Sequence, residues 1–210
     1  MSTATDRSAD FDRNAHPDPS TATDRNAHPD PSTATDRSAH PDPSTATDRS
    51  AVHRITVDVE VDGRRRREEI PAHTVLLDLL RGRMGNTGVK ASCERGVCGA
   101  CTTLIDGVPT ASCSVFAFSV DGCSVETVAG QLEGGEPGPV QRAFAERGGF
   151  QCGYCTPGMV MLTTALLRED PDPTEERIRE WISSNICRCT GYQMIVDSVR
   201  RAAELIREEA

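Results

Sequence analysis

The chain has 210 residues, a formal net charge of −9, 37% hydrophobic content and 4% aromatics. That length bounds it to about one or two domains. The acidic balance excludes nucleic acid as the main partner, and no apolar run in the sequence approaches the ~18 residues that span a bilayer.

Residues 1–51 stand apart, with nine Asp and five Arg for a net of −4. The remainder carries 23 acidic and 18 basic residues, a net of −5. Ser-Thr-Ala-Thr-Asp-Arg begins at Ser2, Ser20, Ser32 and Ser44, the last two steps being twelve residues each. Met1 and Phe11 are the only large apolar residues there. Such a segment buries too little surface to offset its ordering entropy, so a disordered repeat tail is expected over 1–51. His16, His28 and His40 read as solvated repeat histidines rather than as a metal-binding tail. The start, Met1-Ser-Thr-Ala-Thr-Asp, has no basic n-region or apolar h-region, and no apolar stretch follows Arg64–Arg67 as a twin-arginine signal requires. The expected location is the cytoplasm, where the nine cysteines would stay reduced rather than form a disulfide scaffold.

Residues 52–61 alternate, with Ile55, Val57, Val59 and Val61 on one side and Thr56, Asp58 and Glu60 on the other, as in a half-buried strand. Asp62-Gly63 is a hairpin turn signal. Arg64 to Ile70 returns as a second strand, polar enough for a sheet edge. Thr74 is placed to cap a helix carrying Val75, Leu76, Leu79 and Leu80, which ends near Gly82 or Gly85. These glycines and Gly88 follow a helix, not a strand, so the dinucleotide-loop context fails.

Next comes Cys93-Glu-Arg-Gly-Val-Cys98-Gly-Ala-Cys101, and then Cys113. C-x4-C-x2-C with a more distant fourth cysteine is the plant-type [2Fe–2S] spacing. Two irons need four converging thiolates and a backbone close enough to aim N–H groups at the sulfurs, which the glycines at 96 and 99 permit. Zinc loops usually pair C-x2-4-C with a second similar pair, which three cysteines in nine residues fit poorly. Thr102–Ile105 reads as a strand, Asp106-Gly107 as a turn and Cys123–Val128 as a final strand. Cys123 belongs to neither cysteine set and is assigned no chemistry.

Residues 129–139 have the composition of a linker. Helices are expected over Val140–Glu146, over 157–168 with Pro157 at its first position, after a Thr174 cap, and over 192–208. Trp181 and the apolar stripes read as core. The second cysteine set, Cys152-Gly-Tyr-Cys155 and Cys187-Arg-Cys189, is split by 31 residues and is expected at helix starts and ends. Alone, that pattern suits a tetrahedral zinc site and an iron–sulfur cluster equally. Beside the first set it favours a second cluster.

Three stretches carry a resemblance: Cys93 to Cys101, Phe150-Gln-Cys-Gly-Tyr-Cys-Thr-Pro-Gly-Met159, and Asn185-Ile-Cys-Arg-Cys-Thr-Gly-Tyr-Gln193. The chain resembles the small iron–sulfur subunit of the molybdenum hydroxylases, the family of xanthine oxidase, aldehyde oxidoreductase and carbon monoxide dehydrogenase. The likeness covers about residues 52–210, with Met194 a departure at a position where a polar residue or proline is expected. It implies an α+β chain: a β-grasp plant-type ferredoxin domain over 52–128, a linker over 129–139 and an all-α four-helix [2Fe–2S]-binding domain over 140–210. It implies one cluster on Cys93, Cys98, Cys101 and Cys113 and another on Cys152, Cys155, Cys187 and Cys189. It also implies a large molybdopterin-binding subunit and an FAD-binding medium subunit as partners. Electrons would pass singly from the molybdopterin through the helical-domain cluster, then the ferredoxin-type cluster, to FAD or another acceptor. Gln151 would hydrogen-bond the pterin and Cys189 would lie in the electron path beside it. No catalytic residue is expected on this chain. A free-standing double-cluster ferredoxin and a zinc-bound structural protein are the alternative readings.

Overall fold

The computed structural model describes residues 52–209, and the tail, with its repeat histidines, lies outside that range. β1 (Arg54–Val61) and β2 (Arg64–Pro71) form an antiparallel hairpin in which Val61 faces Arg64. Its turn is Asp62-Gly63, both with positive φ (49° and 72°), as a tight hairpin requires. Val57, Val59, Val61 and Ile70 point inward, while Arg64–Arg67 stay exposed on the edge strand.

The helix after the hairpin departs from expectation at its start. α1 (Leu76–Asp78) is capped at Val75, not Thr74, and runs into a π-turn over Leu79–Arg83. Val75 bridges to Phe116 and the Leu76 N–H donates to Val115 O at 2.8 Å, so a neighbouring backbone satisfies the helix start in place of a Thr hydroxyl. The wider π-turn helps bury Leu76, Leu77, Leu79 and Leu80 together. Gly85 (φ 70°) ends the element, and Asn86 N–H reaches back to Leu80 O at 2.8 Å.

β3 (Thr102–Ile105) and β4 (Val108–Ala111) form a second hairpin, and β5 (Ser124–Glu126) inserts between it and β1. The sheet order is β2-β1-β5-β3-β4, with β5 parallel to β1 and antiparallel to β3. Asp62 locks this insertion: its carboxylate accepts from Thr127 N at 2.7 Å, from Thr127 Oγ1 at 2.8 Å and from Asn86 Nδ2 at 3.2 Å. The segment expected as a linker carries a 3-10 turn over Val128–Gln131 and a small hairpin of β6 (Leu132–Glu133) and β7 (Glu136–Pro137).

The rest is helical: α2 (Pro139–Arg147), α3 (Thr156–Glu169), α4 (Glu175–Ile182) and α5 (Gln193–Glu209). Phe144, Met159, Leu166, Ile178, Ile182, Ile195 and Val199 form its core. Thr174 caps α4, its hydroxyl accepting from Arg177 N at 3.2 Å. Thr174→Ala should lower stability by about 1 kcal/mol, read as a fall in melting temperature with unchanged iron content.

α3 is buried on every side from Gly158 to Leu167, as a helix wrapped by partners must be. Met161 and Ala165 pack on Leu104 of β3, while Met159, Val160 and Leu166 face the helical core. Trp181, partly buried, spans both cores and donates its indole N–H to Leu162 O at 2.9 Å. The described residues therefore belong to one compact unit, Arg49–Ala210.

Arg168 of α3 also grips Glu126 of β5 through two bonds, at 2.7 and 2.8 Å. The Arg168 guanidinium holds the Glu126 carboxyl below its usual range, with burial opposing. A carboxyl lowered by folding contributes stability that is fully present above the ordinary carboxylate range and is lost as pH falls through the folded value. Arg168→Ala should cost about 1 kcal/mol at neutral pH and less below about pH 4. Melting temperatures of the two proteins across that range check it. No helix among the described residues is long and apolar enough to cross a membrane.

Candidate metal centres

The first cysteine set lies on the loop from α1 to β3 and on the turn after β4. Glu94, Gly96 and Gly99 have positive φ (52°, 70° and 69°), which curls the loop inward. That curl aims backbone donors at sulfur: Gly96 N reaches Cys113 Sγ at 3.2 Å, and Arg95 N and Cys98 N reach Cys93 Sγ at 3.4 Å each. A Cβ on Gly96 would lie 2.4 Å from Ser114 Oγ, and its φ of 70° is one that glycine adopts without strain. The thiols fall into twos. Cys93 lies against Cys98, and Cys101 against Cys113. The Arg95 N–H, with those of Cys98 and Val97, holds the Cys93 thiol down at about 6. Burial pushes the Cys101 thiol up.

The second set is built around the start of α3 and the α4–α5 loop. Cys155 is the N-cap residue of α3, with Cys152 just before it. Cys187 and Cys189 are not at a helix end: they lie in the loop between Ile182 and Gln193. These thiols also pair. Cys189 lies 3.6 Å from Cys152, and Cys155 lies against Cys187. Burial, then Cys187, pushes the Cys155 thiol up to about 12. Burial also raises Cys187, but the Thr190 hydroxyl, donating to its sulfur at 3.2 Å, and the N–H groups of residues 189 and 190 outweigh it and hold that thiol low. Tyr192, at φ 71°, accepts from Cys187 N at 2.9 Å and donates to Asn185 O at 3.2 Å, so a strained tyrosine braces the loop.

A cavity of about 200 Å³ joins the two sets, lined by Cys98 and Ala100 from the first loop and by Cys152, Cys155, Cys187 and Cys189. The loops are stitched by Ile186 N donating to Cys98 O at 2.9 Å and by Tyr154 Oη donating to Ala91 O. Cys101, Cys113 and Cys187 are buried, whereas Cys152 and Cys189 are exposed, as is Gln151. Cys123 is half-buried and apart from both sets, its thiol raised by burial and by Asp106.

The four cysteines of the second set line one cavity, with Cys189 3.6 Å from Cys152. A [2Fe–2S] cluster shares four thiolates between two irons, and these converging thiols, with N–H donors turned onto the sulfurs of Cys93 and Cys113, fit that group. Thr190, Tyr192, Tyr154 and Asn185 had no chemistry in the sequence reading. Three of them sat inside the Asn185–Gln193 stretch, where position relative to the cysteines was the only signal.

The comparisons define first a class. Residues 59–121 match the family described as 2Fe-2S iron-sulfur cluster binding domain, and residues 125–200 match the [2Fe-2S] binding domain. This is an α+β protein with a ferredoxin-like [2Fe–2S] domain and a helical one. The chain is 48% identical over 146 residues to the nicotine 6-hydroxylase small subunit of Paenarthrobacter nicotinovorans, covering 70% of this chain and 88% of that protein. It is 43% identical over 153 residues to the nicotinate dehydrogenase small FeS subunit of Eubacterium barkeri, covering 73% and 98%. The crystal structure of quinoline 2-oxidoreductase from Pseudomonas putida 86 superposes with a TM-score of 0.71 at 39% identity, covering 74% of this chain and 97% of that one. The chain belongs to the small iron–sulfur subunits of the molybdenum hydroxylases, the electron-transfer components of these oxidoreductases.

Proposed function

We propose that Cys93, Cys98, Cys101 and Cys113 hold one [2Fe–2S] cluster and that Cys152, Cys155, Cys187 and Cys189 hold the other. The chain then relays electrons one at a time from a large molybdopterin-binding subunit to an FAD-binding medium subunit or another acceptor. The observation that carries this reading is the convergence of Cys152, Cys155, Cys187 and Cys189 on one cavity beside Cys98, with backbone N–H groups turned onto the sulfurs of Cys93 and Cys113. When bound, such clusters supply one-electron carriers, which let a two-electron oxidation reach a distant acceptor. The polypeptide's part is to place thiolates, direct N–H groups at sulfur and exclude water, all of which tune potential.

The exposure of Cys152, Cys189 and Gln151 on one edge supports the helical set as the side facing the molybdopterin subunit, with Gln151 hydrogen-bonding the pterin and Cys189 beside it. The mixed five-stranded sheet with its short helix supports a β-grasp ferredoxin domain over 52–128. The four helices α2–α5 support a four-helix domain over 140–210, joined through 129–139. The substrate pocket belongs to the large subunit, and the assembly works in the cytoplasm, where thiols remain available to iron.

The test is to reduce the native purified protein, record its electron paramagnetic resonance spectrum, and count iron and zinc on the same sample. Two distinct signals and about four irons per chain are expected. Zinc without a signal would overturn the reading.

A further inference from the structure

The junction between the two cysteine loops holds a side chain with no role so far. Asn185 is 3% exposed. Its Oδ1 lies 3.3 Å from Thr102 Oγ1 and shares, as the weaker acceptor, the hydroxyl proton that is directed mainly to Gly99 O at 2.7 Å. The next residue, Ile186, donates its N–H to Cys98 O at 2.9 Å. Two glycines make room. A Cβ on Gly99 would lie 1.5 Å from Asn185 Oδ1, and one on Gly158 of α3 would lie 2.2 Å from Gly99 O and 3.2 Å from Asn185 Nδ2. The first loop, the first turn of α3 and the second loop thus reach their closest approach around one amide.

Stability alone does not account for an asparagine here. Its Nδ2 has no hydrogen-bond partner among the described residues, and a buried unsatisfied donor costs about 1–3 kcal/mol. An apolar residue of similar size would avoid that cost but could not accept from Thr102. What the amide adds is register: it ties Thr102, directly after Cys101, to the residue two before Cys187.

We propose that Asn185 is a positioning residue for electron transfer between the two centres, setting the spacing of the Cys98–Cys101 loop and the Cys187 loop. This rests on the two-cluster assignment made above. The exchange it serves moves a single electron and forms no bond, so its rate depends on the spacing of the two centres as well as on their potentials. Any slip of one loop over the other lengthens the gap while leaving each set of thiols intact.

The test compares wild-type holoprotein with Asn185→Ala and with Thr102→Val, which removes the hydroxyl but keeps its shape. Each sample is assayed for iron, melting temperature, the dipolar splitting between the two reduced signals, and the rate of inter-centre electron exchange after rapid partial reduction. Asn185→Ala should keep both signals yet lose splitting and slow the exchange severalfold. Thr102→Val should move both quantities the same way by less. Should Asn185→Ala fail to hold iron, Thr102→Val decides on the same readouts. A lower melting temperature with wild-type splitting and exchange rate would overturn the proposal and leave Asn185 a packing residue. The wild-type iron count and signals test the two-cluster assignment separately in the same series.

Discussion

Cys155→Ser removes one centre and spares the other. Iron should fall from about four to about two per chain, because a [2Fe–2S] cluster depends on all four thiolates. One of two paramagnetic signals should vanish while that of the Cys93–Cys113 set persists. Serine keeps the shape of the cap at the start of α3, so the helix itself should form. Its hydroxyl is far harder to deprotonate than a thiol and makes a poor replacement ligand. Metal binding also contributes folding free energy, so the helical half should melt before the sheet. Iron analysis, spectroscopy and calorimetry of the variant check the three statements. Retention of both signals would break the assignment of Cys155 to the second centre.

Gly99→Ala should be strongly destabilising. The added Cβ would lie 1.5 Å from Asn185 Oδ1 and 3.0 Å from Asn185 Cα, so moving the side chain relieves only part of the clash. The backbone at φ +69° adds its own strain. Overpacking of about 1–3 kcal/mol plus a left-handed penalty of about 1–2 kcal/mol gives a loss of about 2–5 kcal/mol. Gly107→Ala is the control: its φ is +83°, but nothing lies within 4 Å of the new Cβ. It should cost only the backbone term, about 1–2 kcal/mol. The difference in melting temperature between the two variants isolates the close approach of the loops. Equal losses would show that backbone strain alone governs both.

Much of the fold was legible because its signals are local. Alternation from Ile55 to Val61 and the Asp62-Gly63 turn predicted the first hairpin, which pairs over Arg54–Val61 and Arg64–Pro71. Thr102–Ile105 was read at its observed limits, and the Thr174 cap bonds as expected. Misses came where a partner remote in sequence decides. Thr74 lost the cap to Val75 because Val115, some 40 residues on, supplies the acceptor. Val108–Ala111 was passed over because a short strand with a proline, half-buried, has no clear period until β3 pairs with it. The stretch 129–139 reads as a linker from its glycines and prolines, and the small exposed hairpin it carries has no apolar period to announce it.

The sequence by itself determined the chemistry of this protein. Cysteine spacing is covalent: four residues between Cys93 and Cys98, two more before Cys101, and the split second set carry the donor type and number whatever the fold does with them. Only the tertiary structure decided how the two sets meet. Asp62 reads as a turn residue, yet it anchors Thr127 and Asn86 from two other segments. α3 reads as an ordinary amphipathic helix, yet it is buried all round because it is wedged between the sheet and the other helices. Gly99, Gly158 and Asn185 lie far apart in the chain and carry no shared period, so their contact exists only once both halves pack. Spacing along a chain is set by bonds, whereas spacing between loops is set by which surfaces exclude water together.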